Sequence, residues 1–328
     1  GDTIDSFCGP ISYGDRAWPG ACPCMAAVET LARRGILWWN EDDTRTYLAN
    51  EKDFGGGGTK AQSIDILTRN NFAGTIRGFG SWWMDLHGGG WFLDRDLWNI
   101  ISSHDAVERA LFADPAPFEP ELAMIVDEGS LIARLPDAPN ASHPLVQKAR
   151  GDFERCGMPY GQYILEDVLR NDIPAKVQFH LASWRLADAQ RKALKAQRAA
   201  RPDLVRVWCW APGYVSERDA SEKNVSDLTG FTARRISVPD TVVKATPAGL
   251  AAGLPAVWGK CWGKKIDPLF TVEATEEETW SRWSDGSPAV VVRGKEVFCG
   301  VPQLPPALIS AIAKRAGAHV WAKPGEAM

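Results

Sequence analysis

At 328 residues the chain is long enough for two domains, and 45% hydrophobic with 24% charged residues place it among globular proteins rather than disordered ones. No apolar run reaches the roughly 18 residues of a membrane-spanning helix, and the N-terminus lacks the basic, apolar and small-residue succession of a secretory leader, so no membrane partner is expected. A formal charge of -4 and a pI near 5.8 argue against nucleic acid, which needs a concentrated basic face.

The chain opens on Gly1-Asp2-Thr3, without an initiator Met, and passes at once into the apolar segment 4–11. It therefore reads as starting inside a fold, as a processed or shortened chain would. Segment 4–11 predicts a strand, 23–34 a helix with Met25, Val28, Leu31 and Ala32 on one face, and 36–40 the next strand. A helix over 61–69 has Thr59 as its cap, because a hydroxyl there accepts from the free amides of the first turn. A third strand over 80–86 and a third helix over 97–111 follow. Alternating strands and helices signal βα units on a parallel sheet. Three such units, over residues 1–113, amount to less than half of a barrel of about 250 residues.

The proline-rich run Asp114-Pro-Ala-Pro-Phe-Glu-Pro120 marks the boundary to a second domain over 121–328. There the pattern predicts a strand over 122–127, helices over 143–156 and 162–170, a strand over 177–183, a helix over 186–200 and a strand over 205–211. Strands over 289–292 and 297–300 and a helix over 305–316 close the chain. Runs apolar on both faces suggest a buried parallel sheet of flavodoxin type. Segment 240–268, rich in Gly, Pro and Trp, shows no clear period.

The basic run from Arg185 to Arg206 reads as the solvated side of an amphipathic helix. Seven scattered cysteines do not form a disulfide framework and are expected to be reduced and mostly buried. Cys22-Pro23-Cys24 lacks a second ligand pair, so neither a zinc site nor any other metal or cofactor is expected. Gly55 to Thr59 followed by Lys60 lacks the spacing of a phosphate loop. The compartment is left open, with the cytoplasm favoured over export.

Chemistry concentrates where the predicted strands end, as it does on the C-terminal face of parallel α/β barrels. Ser12-Tyr13-Gly14-Asp15-Arg16 follows the first strand, and Asn40-Glu41-Asp42-Asp43-Thr44-Arg45-Thr46 follows the second. Three successive carboxylates need compensating donors, and Arg45 is an internal candidate. The third strand runs through Trp82 and Trp83 toward Gly88-Gly89-Gly90-Trp91-Phe92. Indoles beside glycines suit a sugar site, because the C–H face of a pyranose stacks on an aromatic ring while its hydroxyls meet carboxylates and amides.

These three runs resemble strands six, seven and eight of clan A glycoside hydrolases, with relatives of the family 42 β-galactosidases the nearest in kind. In the second domain, Met158-Pro159-Tyr160, Leu165-Glu166-Asp167-Val168-Leu169, Ala211-Pro212-Gly213-Tyr214 and Asn224-Val225-Ser226-Asp227-Leu228-Thr229-Gly230-Phe231 resemble the flavodoxin-like trimerisation domain of those enzymes, which is related to class I glutamine amidotransferases. The resemblance implies the C-terminal portion of a (β/α)8 barrel followed by a doubly wound domain. It implies Glu41 as nucleophile, Tyr13 as the group that holds it, and Trp82 or Trp83 as the floor of the sugar subsite. Arg16, Asn40, Asp42, Arg45 and Trp91 join them as substrate-binding candidates, with Asp42 and Asp43 binding sugar hydroxyls or bracing Arg45.

The acid/base, an Asn-Glu pair at the end of strand four, is not in this chain. The implied function is retaining hydrolysis of terminal β-glycosidic bonds, with a homotrimer and a separate chain carrying the N-terminal barrel half as implied partners. The alternative is a noncatalytic carbohydrate-binding and oligomerisation module. In the second domain Asp127-Glu128 follows the first strand, where doubly wound folds bind ligands, but the sequence shows no Cys/His pair there and Cys209 lies inside a strand, so that domain reads as structural.

Overall fold

The computed structural model describes residues 3–49, 58–133, 141–170, 173–261 and 266–325. The chain divides into two compact units, Gly1–Glu119 and Pro120–Glu326, with the division inside the proline-rich segment. Among the described residues, no helix is long and apolar enough to cross a membrane.

The first unit is built on three parallel strands, β1 (Ser6–Pro10), β2 (Leu37–Asp42) and β3 (Gly80–Trp83), in the order β1-β2-β3. Helices α1 (Val28–Arg33), α2 (Lys60–Thr75) and α3 (Arg95–Ala113) alternate with them. Helix α1 is shorter than the apolar pattern suggests, because Pro23 and Cys24 run extended beside Ile11; the Ser12 amide donates to the Pro23 carbonyl at 2.9 Å. Strand β2 continues two residues beyond the predicted end, so Glu41 and Asp42 are strand residues paired with Trp82 and Trp83. Strand β3 stops at Trp83 rather than at residue 86, and a short 3₁₀ turn, Leu86–Gly88, follows.

Helix α2 begins as predicted at Thr59. Its side chain accepts from the Gln62 amide at 3.3 Å while the Gln62 side chain accepts from the Thr59 amide at 2.8 Å, satisfying two free donors of the first turn. Lys60 pairs with Asp94 and Asp96; the glycines preceding Gly58 in the loop lie outside the described residues.

The second unit contains β4 (Leu122–Val126), α4 (Glu128–Ile132), a π-helical stretch (His143–Lys148) running into α5 (Ala149–Glu154), β5 (Tyr160–Ile164), α6 (Leu165–Leu169), β6 (Val177–Ala182), α7 (Asp188–Ala200), β7 (Val205–Cys209) and α8 (Glu222–Thr229). Then come β8 (Ala233–Ile236), β9 (Val243–Ala245), α9 (Pro247–Ala251), β10 (Val257–Trp258), β11 (Leu269–Val272), β12 (Thr279–Arg282), β13 (Pro288–Arg293), β14 (Glu296–Cys299) and α10 (Pro306–Arg315). Nine strands form one sheet in the order β10-β9-β12-β13-β14-β7-β6-β4-β5, and β8 pairs with β11 separately.

Strands β5, β4, β6, β7 and β14 are mutually parallel; counted along the chain, their order is 2-1-3-4-5. The remaining four are antiparallel, so the sheet is mixed rather than wholly parallel. A second difference from the sequence pattern is 162–170, which divides into strand β5 and helix α6. Tyr160, Gly161 and Tyr163 pair in register with Leu122, Ala123 and Ile125, and this pairing prevails over the helical spacing of the same residues.

Alternate residues of the parallel strands meet different helices. Phe179 on β6 packs edge-on against Phe153 of α5 at 5.0 Å, while Arg206 on β7 reaches the C-terminal carbonyls of α7. The basic run is thus only partly solvated: Arg191 and Arg206 are buried. Arg191 donates to the carbonyls of Gly213 and Asn224, and Arg206 to those of Gln197, Arg201 and Leu204, where a cation meets the negative end of α7.

His180 on β6 is fully buried, stacked on Trp208 at 4.5 Å, with both ring nitrogens unpartnered. Burial, aided by the Arg206 charge, pushes its pKa down to about 3, so the folded chain holds it neutral. A base with a folded pKa below its unfolded value near 6.5 supports the fold fully above pH 6.5. That support declines as pH falls from 6.5 toward 3, by up to about 1.4 kcal/mol per pH unit. His180→Phe is expected to flatten this loss; urea midpoints of the two proteins that fall in parallel between pH 7 and 4.5 would refute the assignment.

Candidate active site

The geometry of the first unit follows from side-chain alternation along β2. Trp38, Asn40 and Asp42 are buried, while Leu37, Trp39 and Glu41 on the opposite face remain exposed or half-buried. The buried face is packed tightly. Trp38 lies against Gly9, where a Cβ would stand 2.7 Å from its ring, and Asn40 lies against Gly74 of α2, where a Cβ would stand 2.8 Å from its amide.

On the other face Trp39 lies across Gly80, which a Cβ would bring to 2.6 Å from the indole. Trp82, 39% exposed, extends from β3 over β2 and donates its indole N–H toward the Cys8 sulfur of β1 at 3.1 Å. The strand register puts Glu41 between Pro10 and Trp82, at the C-terminal end of the central strand. Neighbouring parallel strands are about 4.8 Å apart, so the Glu41 carboxylate emerges beside that indole.

Tyr13, three residues beyond the end of β1, completes the cluster. Its ring carries the Arg16 guanidinium at 4.3 Å, and its hydroxyl feels the carboxylates of Asp43 and Glu41. Burial first, then the Asp43 charge, raises the phenol above its ordinary value, against the opposing pull of Arg16. Arg16 forms a buried ion pair with Asp43, with side chains 3% and 5% exposed, and Arg45 approaches the same carboxylate at 4.0 Å.

The structure separates the sequence candidates into two groups. Glu41, Tyr13 and Trp82 share the open side, with Arg16 behind Tyr13. Asn40 does not join them: it lies on the helix-facing side, where its side-chain oxygen accepts from Trp38 at 2.7 Å and from Cys24 at 3.2 Å. Asp42 is also turned inward, accepting from the Thr44 amide at 3.0 Å and from Asn70 at 2.9 Å; burial outweighs these bonds and raises its carboxyl above the usual range. Trp83 and Trp91 belong to the helix-side core with Leu67, Phe92 and Leu97. Arg45 lies over the Trp91 ring at 4.8 Å.

Asn40, Asp42 and Trp83 follow from the two-residue period, which sends neighbours of Glu41 and Trp82 to the other face, whereas Trp91 lies in the turn before α3 and is buried against Leu67, Phe92 and Leu97. Trp39 was not foreseen as part of the open face, although its position two residues before Glu41 carries that signal.

Among the described residues of the second unit, side chains occupy several of the strand ends. Asp127 is buried and accepts from the Ser130 amide and hydroxyl, both at 2.6 Å, as the cap of α4. The indoles of Trp184 and Trp210, 5.4 Å apart, fill the space beyond β6 and β7. Trp210 adopts a left-handed backbone (φ 59°), held by its amide on the Cys299 carbonyl and its indole on the Pro268 carbonyl. The thiols of Cys209 and Cys299, neighbours in register, are pushed up by burial. Among the described residues no group of three or more His, Cys, Asp or Glu could hold a metal ion.

The Arg16–Asp43 pair makes a stability prediction. Arg16→Ala leaves the buried Asp43 with only the more distant Arg45, at 4.0 Å, and is expected to cost about 3 kcal/mol. A change below about 1 kcal/mol in chemical denaturation would show that the pair is not buried as described.

No protein-family model and no curated protein sequence matches the chain. Solved structures do. A β-galactosidase from Bacillus circulans sp. alkalophilus aligns over 97% of this chain and 53% of its own, with 11% identity and a TM-score of 0.61. A catalytic mutant of a GH42 β-galactosidase from G. stearothermophilus aligns over 85% of this chain and 43% of its own, with 13% identity and a TM-score of 0.56. An α-L-fucosidase, isoenzyme 2 of Paenibacillus thiaminolyticus, aligns over 87% and 45%, with 13% identity and a TM-score of 0.55. The chain spans about half the length of these structures. The likeness is one of fold: an α/β architecture with mixed sheets, shared with β-galactosidases of family 42.

Proposed function

We propose that this chain supplies the nucleophile half of a retaining glycoside hydrolase site of the β-galactosidase type. In this reading the first unit is the last three βα units of a (β/α)8 barrel. The second is a flavodoxin-like domain, for which its 2-1-3-4-5 strand order speaks, serving homotrimer assembly. The observation that carries the proposal is Glu41 at the end of the central strand, half-buried on the open face between Pro10 and the exposed Trp82 indole, with Tyr13 within electrostatic reach.

A sugar stacked on Trp82 would present its anomeric carbon to the Glu41 carboxylate. Attack forms a glycosyl ester and expels the leaving oxygen, which a second carboxyl, roughly 5 Å from the first, protonates before activating the water that releases the sugar. Neither aspartate after Glu41 suits that second role: Asp42 faces α2, and Asp43 is buried against Arg16. The resemblance to clan A enzymes implies that the acid/base lies on a barrel strand other than these three, which a separate polypeptide would carry.

This division of the site favours, for the chain by itself, the second reading of a carbohydrate-binding module without turnover. The test uses an activated 2-deoxy-2-fluoro galactoside, whose good leaving group needs no protonation, with the full barrel assembled. Peptide mass mapping is expected to find the sugar on Glu41, and Glu41→Gln is expected to lower turnover of a nitrophenyl β-galactoside by about a thousandfold or more. Labelling of a different residue, or undiminished turnover in the variant, overturns the proposal. A calorimetric isotherm with galactose-containing oligosaccharides but no label at all would favour the module.

A further inference from the structure

We propose that Asp43, clamped by Arg16, is a positioning residue of this site that holds Tyr13 by accepting the hydrogen bond of its hydroxyl in place of Glu41. The inference rests on the hydrolase reading for its meaning in catalysis, whereas the contacts that carry it belong to the chain alone.

Three charged groups, Arg16, Asp43 and Glu41, act on the tyrosine, and a fourth, Arg45, stands behind Asp43. Arg16 lies over its ring at 4.3 Å and reaches Asp43 with Nη1. Asp43 also faces Arg45, whose Nη1 stands 4.0 Å from Oδ2. Glu41 is the remaining neighbour, and its effect on the phenol is weaker than that of Asp43. Arg16 therefore touches both the ring and the carboxylate toward which the hydroxyl is drawn, so ring and hydroxyl are constrained by one ion pair. That pair is almost fully buried, whereas Tyr13 is 40% exposed: a rigid base holds a side chain that borders the open face.

The chemical consequence concerns the charge on Glu41. A phenol has one proton to donate. Two carboxylates compete for it here, and Asp43, held in place by Arg16, is the stronger competitor. With the proton directed to Asp43, Glu41 is not partly neutralised by its neighbour before it meets an electrophile. In this arrangement Asp43, rather than Glu41, determines where the hydroxyl points.

The test is the ultraviolet titration of the phenol. Subtracting the Tyr13→Phe protein from the native one isolates Tyr13, and circular dichroism monitors the fold throughout. The native midpoint is expected above the ordinary tyrosine value near 10. In Asp43→Asn the midpoint should fall, because the charge that resists phenolate formation is gone; in Glu41→Gln it should fall less.

An unchanged midpoint in Asp43→Asn, or a larger fall in Glu41→Gln, overturns the proposal. Should Asp43→Asn fail to fold, the native arm still decides, since a Tyr13 midpoint at or below the ordinary value overturns it as well. These outcomes are separate from the fate of the hydrolase reading, which depends on covalent labelling of Glu41 and not on the titration of Tyr13.

Discussion

A strand in a parallel sheet can direct its side chains to only two sides, and β2 is where that constraint matters most. Trp38, Asn40 and Asp42 fill the side covered by helices, which leaves Trp39 and Glu41 on the other. A slip of one residue would exchange the two sets, putting the Glu41 carboxylate into an apolar layer and the Trp38 indole into the open. Three glycines protect the register through size alone: Gly9 admits Trp38, Gly74 admits Asn40 and Gly80 admits Trp39. The position of Glu41 is thus decided by how its neighbours pack.

The three successive carboxylates show how differently one local run of charge can be accommodated. Glu41 is half-buried beside an exposed indole. Asp42 is desolvated and answered by neutral donors, the Thr44 amide and the Asn70 side chain, which leave its carboxyl shifted upward. Asp43 is answered by a full cation, Arg16. Arginine plays a different part in the second unit, where Arg206 and Arg191 donate to backbone carbonyls that helix ends and turns leave without partners. Planar guanidinium groups suit both tasks because they offer several donors in fixed directions.

The second unit has the strand order of a ligand-binding doubly wound sheet, yet its strand ends are occupied by its own side chains. Trp210 is held in a strained left-handed conformation by two hydrogen bonds to carbonyls, and its indole is fully buried beyond β7. Asp127 is used as a helix cap, and the Cys209 and Cys299 thiols are too desolvated to ionise readily. These features concentrate the chemically open groups of the described chain at the strand ends of the first unit.

By itself the sequence determined the βα alternation, the Thr59 cap of α2 and the strongest strands of the second unit, because each rests on local spacing or on a single side-chain hydrogen bond. It also located the polar cluster at the end of β2, since charge density is visible without a fold. Only the tertiary structure decided that 160–164 is a strand, that four antiparallel strands extend the large sheet, and that Arg191 and Arg206 are buried, because each depends on partners distant in the chain. The same holds for the division of Glu41 and Trp82 from Asn40, Asp42, Trp83 and Trp91. Composition places all six together, whereas the pleat of a strand, once its register is set by packing, turns Asn40, Asp42 and Trp83 away from Glu41 and Trp82, and Trp91 is drawn into the core beside α3.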